Sequence, residues 1–108
     1  MRKPQVVIIY TTTKDVKEAK KIGKTLVDRK LAACVNIIPK MNSVYRWKGS
    51  VEEAKEAVLL VKTTDSNVEK VKKSIVKMHS YELPCILVFP VESGLGSYLK
   101  YIVDNSKN

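Results

Sequence analysis

Four short apolar runs rich in branched side chains are separated by two stretches in which apolar residues recur every three or four positions, and this switching of period limits the chain to a few layered α/β arrangements. Val6–Tyr10 is the first run, ended by three threonines, and Asp15 with Glu18 three residues later marks the start of a helix by a capping box. In that helix Val16, Ala19, Gly23, Leu26 and Val27 fall on one face, and the element should end near Arg29. Leu31–Ile38 reads as a buried strand closed by Pro39. Ser43–Trp47 continues extended, with Val44 and Arg46 alternating against Tyr45 and Trp47, until Gly49 turns the chain. Ser66 and Glu69 form a second capping box, ahead of a helix whose stripe is Val68, Val71, Ile75 and Met78 and whose end is His79. Cys85–Phe89 is the last apolar run, closed by Pro90, and a terminal helix carries Tyr98, Leu99, Tyr101 and Ile102.

The segment between Gly49 and Ser66 is in conflict with itself. Ser50 with Glu53, followed by Ala54, Lys55, Glu56 and Ala57, has the local preferences of a capped helix, whereas Val58–Val61 suits a strand.

With 108 residues, 44% of them apolar, the chain suffices for one domain with a modest core, spanning 1–108, and leaves no room for a second. No apolar run reaches the roughly 20 residues needed to span a bilayer, and the opening MRKPQVVIIYTTT lacks a signal-peptide pattern, so a cytoplasmic location is expected. Cys34 and Cys85 make no CxxC pair and no disulfide framework; buried free thiols are the expectation.

Twenty basic residues against eleven acidic leave a net charge of +9, which raises the question of a polyanionic partner. Seventeen of the twenty are lysines. They fall in stripes, Lys14, Lys17, Lys21 and Lys24 on one helix and Lys70, Lys73 and Lys77 on the other, as expected of solvated helix faces rather than a nucleic-acid groove. Paired aromatics of the kind that stack RNA bases on central strands are missing, since Phe89 is the sole phenylalanine. GxSxG, GxxxxGK[ST] and GxGxxG are absent too, so neither a serine nucleophile elbow nor a phosphate loop is signalled, and no catalytic residue is assigned.

Three motifs in order, LAACVNIIP from Leu31 to Pro39, SVYRWKG from Ser43 to Gly49 and HSYELP from His79 to Pro84, make the chain resemble the CutA divalent-cation tolerance proteins from Val6 to about Asn105. The usual last motif has proline after the histidine, where this chain has Ser80. The resemblance implies an α+β, ferredoxin-like βαββαβ sandwich with a C-terminal helix, in which Ser50–Thr64 is a long strand forming an extended hairpin with the preceding arm, assembled as a homotrimer. If Ser43–Trp47 and Val51–Lys62 pair as that hairpin, the longer strand spans on the order of 40 Å at about 3.3 Å per residue, so the hairpin must overhang a core of this size. Overhanging edges invite another chain.

The same resemblance implies a role in divalent-cation tolerance, with copper or another divalent ion as ligand and a ligand-responsive adaptor as one form of that role, and with an unknown protein as a further partner. His79 is the leading candidate ligand, against the competing reading of a histidine that holds its turn by hydrogen bonds. Family members that carry a cysteine at the place of Tyr10 and a histidine at the place of Met78 have donors this chain lacks. A methionine thioether suits Cu(I), and an un-ionised phenol is a poor ligand, so no cofactor is required and any copper affinity is expected to be weak. The candidate metal residues are therefore His79, Met78, Tyr10 and Cys34, with Cys34 and Cys85 equally readable as core. Tyr45, Trp47, Lys48 and Glu82 are candidates for lining a cleft between subunits, Glu52, Glu53 and Glu56 are read as surface charges, and an enzyme or scaffold using that cleft is the alternative.

Overall fold

The computed structural model describes residues 3–107 and contains four strands, three α-helices and one short 3-10 turn. In chain order these are β1 (Val6–Thr13), α1 (Val16–Asp28), β2 (Cys34–Trp47), β3 (Ser50–Thr64), the 3-10 turn Asp65–Asn67, α2 (Val68–Met78), β4 (Ile86–Pro90) and α3 (Gly96–Asp104). The strands form one antiparallel sheet in the order β2-β3-β1-β4. This is the expected α+β, ferredoxin-like βαββαβ order with a helix appended.

Helix α1 starts where the capping box places it. Asp15 Oδ1 accepts from the Glu18 N–H at 2.8 Å, but the Glu18 carboxylate turns to the Lys14 N–H at 3.2 Å rather than to Asp15. Ala19, Ile22, Gly23 and Leu26 form the buried face, so Ile22 takes the place expected of Val27, which is exposed. At Gly23 the helix backbone lies close against the sheet. A Cβ there would lie 2.7 Å from Val35 Cγ2 on β2.

The contested segment is strand throughout. Its second half is held on both sides, from Thr13↔Ala57 to Val6↔Thr64 by β1 and from Ile38↔Val58 to Cys34↔Lys62 by β2, and two ladders outweigh a local helical preference of a few tenths of a kcal/mol per residue. The first half pairs with β2 alone, from Met41↔Glu56 to Trp47↔Ser50, and projects as an arm that gives the molecule its 48 Å long axis against 26 and 23 Å. Lys48 (φ 49°) and Gly49 (φ 84°) close the hairpin in the left-handed region that a two-residue turn requires. Pro39 does not end β2 as expected. It sits in a bulge between Ile38 and Met41, with Lys40 at φ 59°, so that the strand bends and continues.

Helices α1 and α2 cover one face of the sheet, burying Ile9, Leu59 and Val61 against Ile22, Leu26, Val71 and Ile75. Strand alternation sends Ile8, Tyr10, Leu60 and Lys62 to the other face, beside Ile38, Leu87 and Phe89. There α3 covers only one end, where Ile102 packs with Val6 and Ala33. Ile38, Leu87 and Phe89 stay about half exposed.

The second capping box does not form. Ser66 Oγ pairs with Thr64 Oγ1 at 3.1 Å, the 3-10 turn precedes α2, and neither Thr64 nor Asn67 caps with its side chain. Asn67 instead reaches inward. Its buried amide nitrogen donates to the carbonyls of Ser106 (2.6 Å) and Leu31 (3.4 Å) and to Thr63 Oγ1 (3.2 Å).

Candidate functional site

His79 is the C-cap of α2, and its extended backbone (φ −79°, ψ 141°) ends the helix while its N–H closes the last turn on Ile75 O. The imidazole crosses to β1, where Nε2 lies 2.7 Å from the Thr12 carbonyl. A carbonyl only accepts, so Nε2 carries the proton. Nδ1 then accepts the Tyr81 N–H at 3.1 Å, and the Tyr81 ring leans on the imidazole at 4.7 Å between centroids. Both ring nitrogens are committed.

The loop beyond is tied down twice more. The Ser80 N–H donates to Glu18 Oε2 at 3.0 Å, which joins the start of α1 to the end of α2. Burial pushes the Glu18 carboxyl up, but the Ser80 and Lys14 hydrogen bonds outweigh it, so the group lies below the usual carboxylate range. The residue that replaces the family's proline thus supplies an N–H that proline does not have.

Tyr81 O–H donates to Glu56 Oε2 at 2.7 Å, and Ser43 O–H donates to Glu56 Oε1 at 2.6 Å. Glu56 is therefore not a surface charge. It is a half-buried bridge between the hairpin and the loop after α2. Burial, helped by the Glu56 bond and charge, raises the Tyr81 phenol well above its ordinary range. Burial also raises Tyr10 and Cys85, with Glu56 adding to both. Tyr10 O–H points at Met41 Sδ, 3.6 Å away. No phenolate is offered at neutral pH.

The four candidate metal residues are dispersed. Met78 packs on the main core, and Tyr10 lies on the opposite face of the sheet from Ile9. Cys34, a half-buried free thiol, is level with Ile8, two strands from β1 and roughly 13 Å along the strands from the Thr12 carbonyl that holds His79. Its Sγ lies 3.6 Å from Tyr98 O–H, which also takes a 3.1 Å hydrogen bond from Lys62 Nζ. Among the described residues no three His, Cys, Asp or Glu side chains converge on a common point. Within one subunit His79, Tyr10 and Cys34 each make their own separate contacts. On the arm, Lys48 lies 4.0 Å from Glu82, both well exposed, and 5.6 Å from the centre of the Trp47 ring, so three of the cleft candidates meet.

Sequence reasoning missed Glu56, Ser43 and Glu18. The signal for Glu56 was its parity with Val58 and Leu60 in a strand, visible only once the segment is taken as a strand.

Residues 7–105 match the family profile described as "CutA1 divalent ion tolerance protein". The chain belongs to the CutA1 family. The divalent-cation tolerance protein CutA of Thermus thermophilus is 41% identical over 102 residues, covering 94% of this chain and 97% of that protein. The CutA homologue of Xenopus laevis is 42% identical over 95 residues, covering 88% of this chain and 63% of that protein. Among solved CutA1 structures, that from Thermus thermophilus superposes with a TM-score of 0.92 at 38% identity, covering 94% of this chain and 99% of the other. CutA1 from a psychrotrophic Shewanella gives 0.92 at 34% identity, covering 99% of this chain and 100% of that one. The CutA1 family is one of divalent-cation tolerance, not a recognised enzyme family. Among the described residues no helix is long and apolar enough to cross a membrane.

Proposed function

We propose that the chain acts in the cytoplasm as a homotrimeric, non-catalytic divalent-cation tolerance protein, meeting copper or another divalent ion as weakly held cargo at subunit junctions. The observation that carries this reading is the bare sheet face. A patch built from Ile8, Leu60, Ile38, Leu87 and Phe89, flanked by the projecting arm with exposed Val44, Tyr45, Trp47 and Val51, is the kind of surface that a soluble chain buries against copies of itself. Three-fold closure satisfies the open edges of β2 and β4 without leaving a growing end.

An ion reaching His79 must first displace the Tyr81 N–H from Nδ1, which weakens its binding, and Met78 is the neighbouring soft donor. Tyr10 and Cys34 can join such a ligand set only from another subunit. Reorganisation of the His79–Tyr81 loop on binding would make the assembly a ligand-responsive adaptor for a protein partner.

The test is light scattering together with calorimetry of the metal-free protein against Cu(I), Cu(II) and Zn(II). A mass three times that of the chain, reduced by Phe89→Glu, and a saturable heat lost in His79→Ala are expected. A monomer at micromolar concentration overturns the assembly, and equal uptake by His79→Ala overturns the ligand.

A further inference from the structure

Where the start of α2 meets the end of the chain lies a cavity of about 350 Å³, lined in part by Thr64, Ser66, Asn67, Lys70, Ser106 and Lys107. The hydroxyls left unmatched on its wall are each able to donate. Ser106 is only 3% exposed, and its Oγ has no hydrogen-bond partner. Thr64 Oγ1 and Ser66 Oγ bond each other at 3.1 Å, which uses one of their two protons and leaves one over. The first turn of α2 has no side-chain cap from Asn67 and the 3-10 turn none from Thr64, so the positive end of an eleven-residue helix is uncapped by either.

Two ammonium groups stand at the rim. Lys70, in the first turn, makes no ion pair among the described residues, while Lys107 is 3.9 Å from Asp104 Oδ1. None of the described lining residues is acidic. Besides Asp104, two carboxylates neighbour lining residues in sequence; Asp65 accepts from the Gln5 N–H at 3.3 Å through Oδ1 and Glu69 pairs with Lys72 at 3.0 Å, and neither is part of the wall. The Asn67 amide, already spent on three acceptors, fixes the wall rather than adding to the donors.

We propose that this cavity is a binding site for a phosphoryl dianion, either free phosphate or a small phosphate monoester. A phosphoryl group is the complement of such a wall, because it offers acceptors on several sides and negative charge to a helix start and two lysines. At about 350 Å³ the cavity is at the small end of ligand sites, with room for phosphate carrying a short organic substituent. The site shares no residue with the His79 cluster, so it stands independently of how cations are met.

The experiment is calorimetry on the assembled full chain with inorganic phosphate in one arm and glycerol phosphate in the other, backed by amide shifts in nuclear magnetic resonance. One saturable site per chain is expected, with shifts centred on Ser66, Asn67 and Ser106. Ser106→Ala and Lys70→Ala should each weaken it by roughly tenfold, as for a lost charge-assisted contact, while Lys21→Ala on α1 leaves it unchanged. Tighter binding of the ester assigns the site to an organic phosphate, and equal or weaker binding assigns it to the free ion. Heat without saturation, equal weakening by Lys21→Ala, or undiminished binding by Ser106→Ala overturns the proposal. Lys70 is exposed, so its truncation removes no buried contact, and a misfolded Ser106→Ala does not stall the test.

Discussion

Tyr81 donates its phenolic proton to Glu56 Oε2 across 25 residues of sequence, and that 2.7 Å bond fastens the loop after α2 to the middle of the β2–β3 hairpin. Glu56 in turn holds Ser43, so the carboxylate is the node of a two-donor network. Removing the phenolic hydroxyl by Tyr81→Phe strands one carboxylate oxygen in a half-buried place. The expected loss is about 1–2 kcal/mol in urea unfolding at pH 7 and fixed protein concentration. In a double-mutant cycle with Glu56→Gln the two losses should be less than additive; full additivity would show that the bond carries no coupling.

Alkali should act through the same place. The folded state holds the Tyr81 and Tyr10 phenols above their ordinary value of about 10, so their contribution is fully present below that pH and is lost as the pH rises above it, where only the unfolded chain ionises. Tyrosinate absorbance should lose a late-ionising component in Tyr81→Phe and another in Tyr10→Phe, and Tyr81→Phe should flatten the stability profile above pH ~10. A component lost from the early part of the titration in either variant contradicts this.

Acid should act through Glu18. Its folded carboxyl lies below the usual carboxylate range, so the contribution is present above the unfolded value of about 4.3 and disappears as the pH falls through the folded one. Glu18→Gln should remove this component of acid unfolding. Ser80→Pro deletes the N–H that Glu18 accepts, and it should shift the acid transition upward in pH even though proline stiffens the loop. An unmoved transition in both variants would show that the contact does not select the ionised form.

Gly23→Ala sets two effects against each other. Alanine favours the helix by about 1 kcal/mol, yet its Cβ meets Val35 Cγ2 at 2.7 Å, and overpacking of this kind costs about 1–3 kcal/mol. The substitution should destabilise the wild-type background and stabilise a Val35→Ala background. The same sign in both, read by thermal unfolding, argues against the clash.

Most of the architecture was legible because apolar period and turn chemistry agree locally, as at Asp15–Glu18 and Lys48–Gly49. Local reading failed where the deciding partner is distant in sequence, and at Ser50–Thr64 it was the resemblance, not the local pattern, that gave the strand which is found. Ser50–Ala57 prefers helix on its own, and its strand geometry comes from the β2 ladder, which no local pattern of this segment encodes. Pro39 looked like a stop because a bulge is a property of a pair of strands. Ser66 and Glu69 have the spacing of a box, but the Ser66 hydroxyl is taken by Thr64 and the Glu69 carboxylate by Lys72 at 3.0 Å. His79 was picked out by its uniqueness, whereas its tautomer depends on Thr12, 67 residues away.

One side chain makes the end of this chain part of its middle. Asn67 has two amide protons for three acceptors, drawn from the crossover after α1, the end of β3 and the residue two beyond α3. The final helix cannot peel from the sheet without breaking the shortest of the three, the 2.6 Å contact to Ser106. Trimming the chain from Ser106 onward would therefore be felt first at Asn67, in the turn that opens α2, as a knot shifts at its middle when one end is let go.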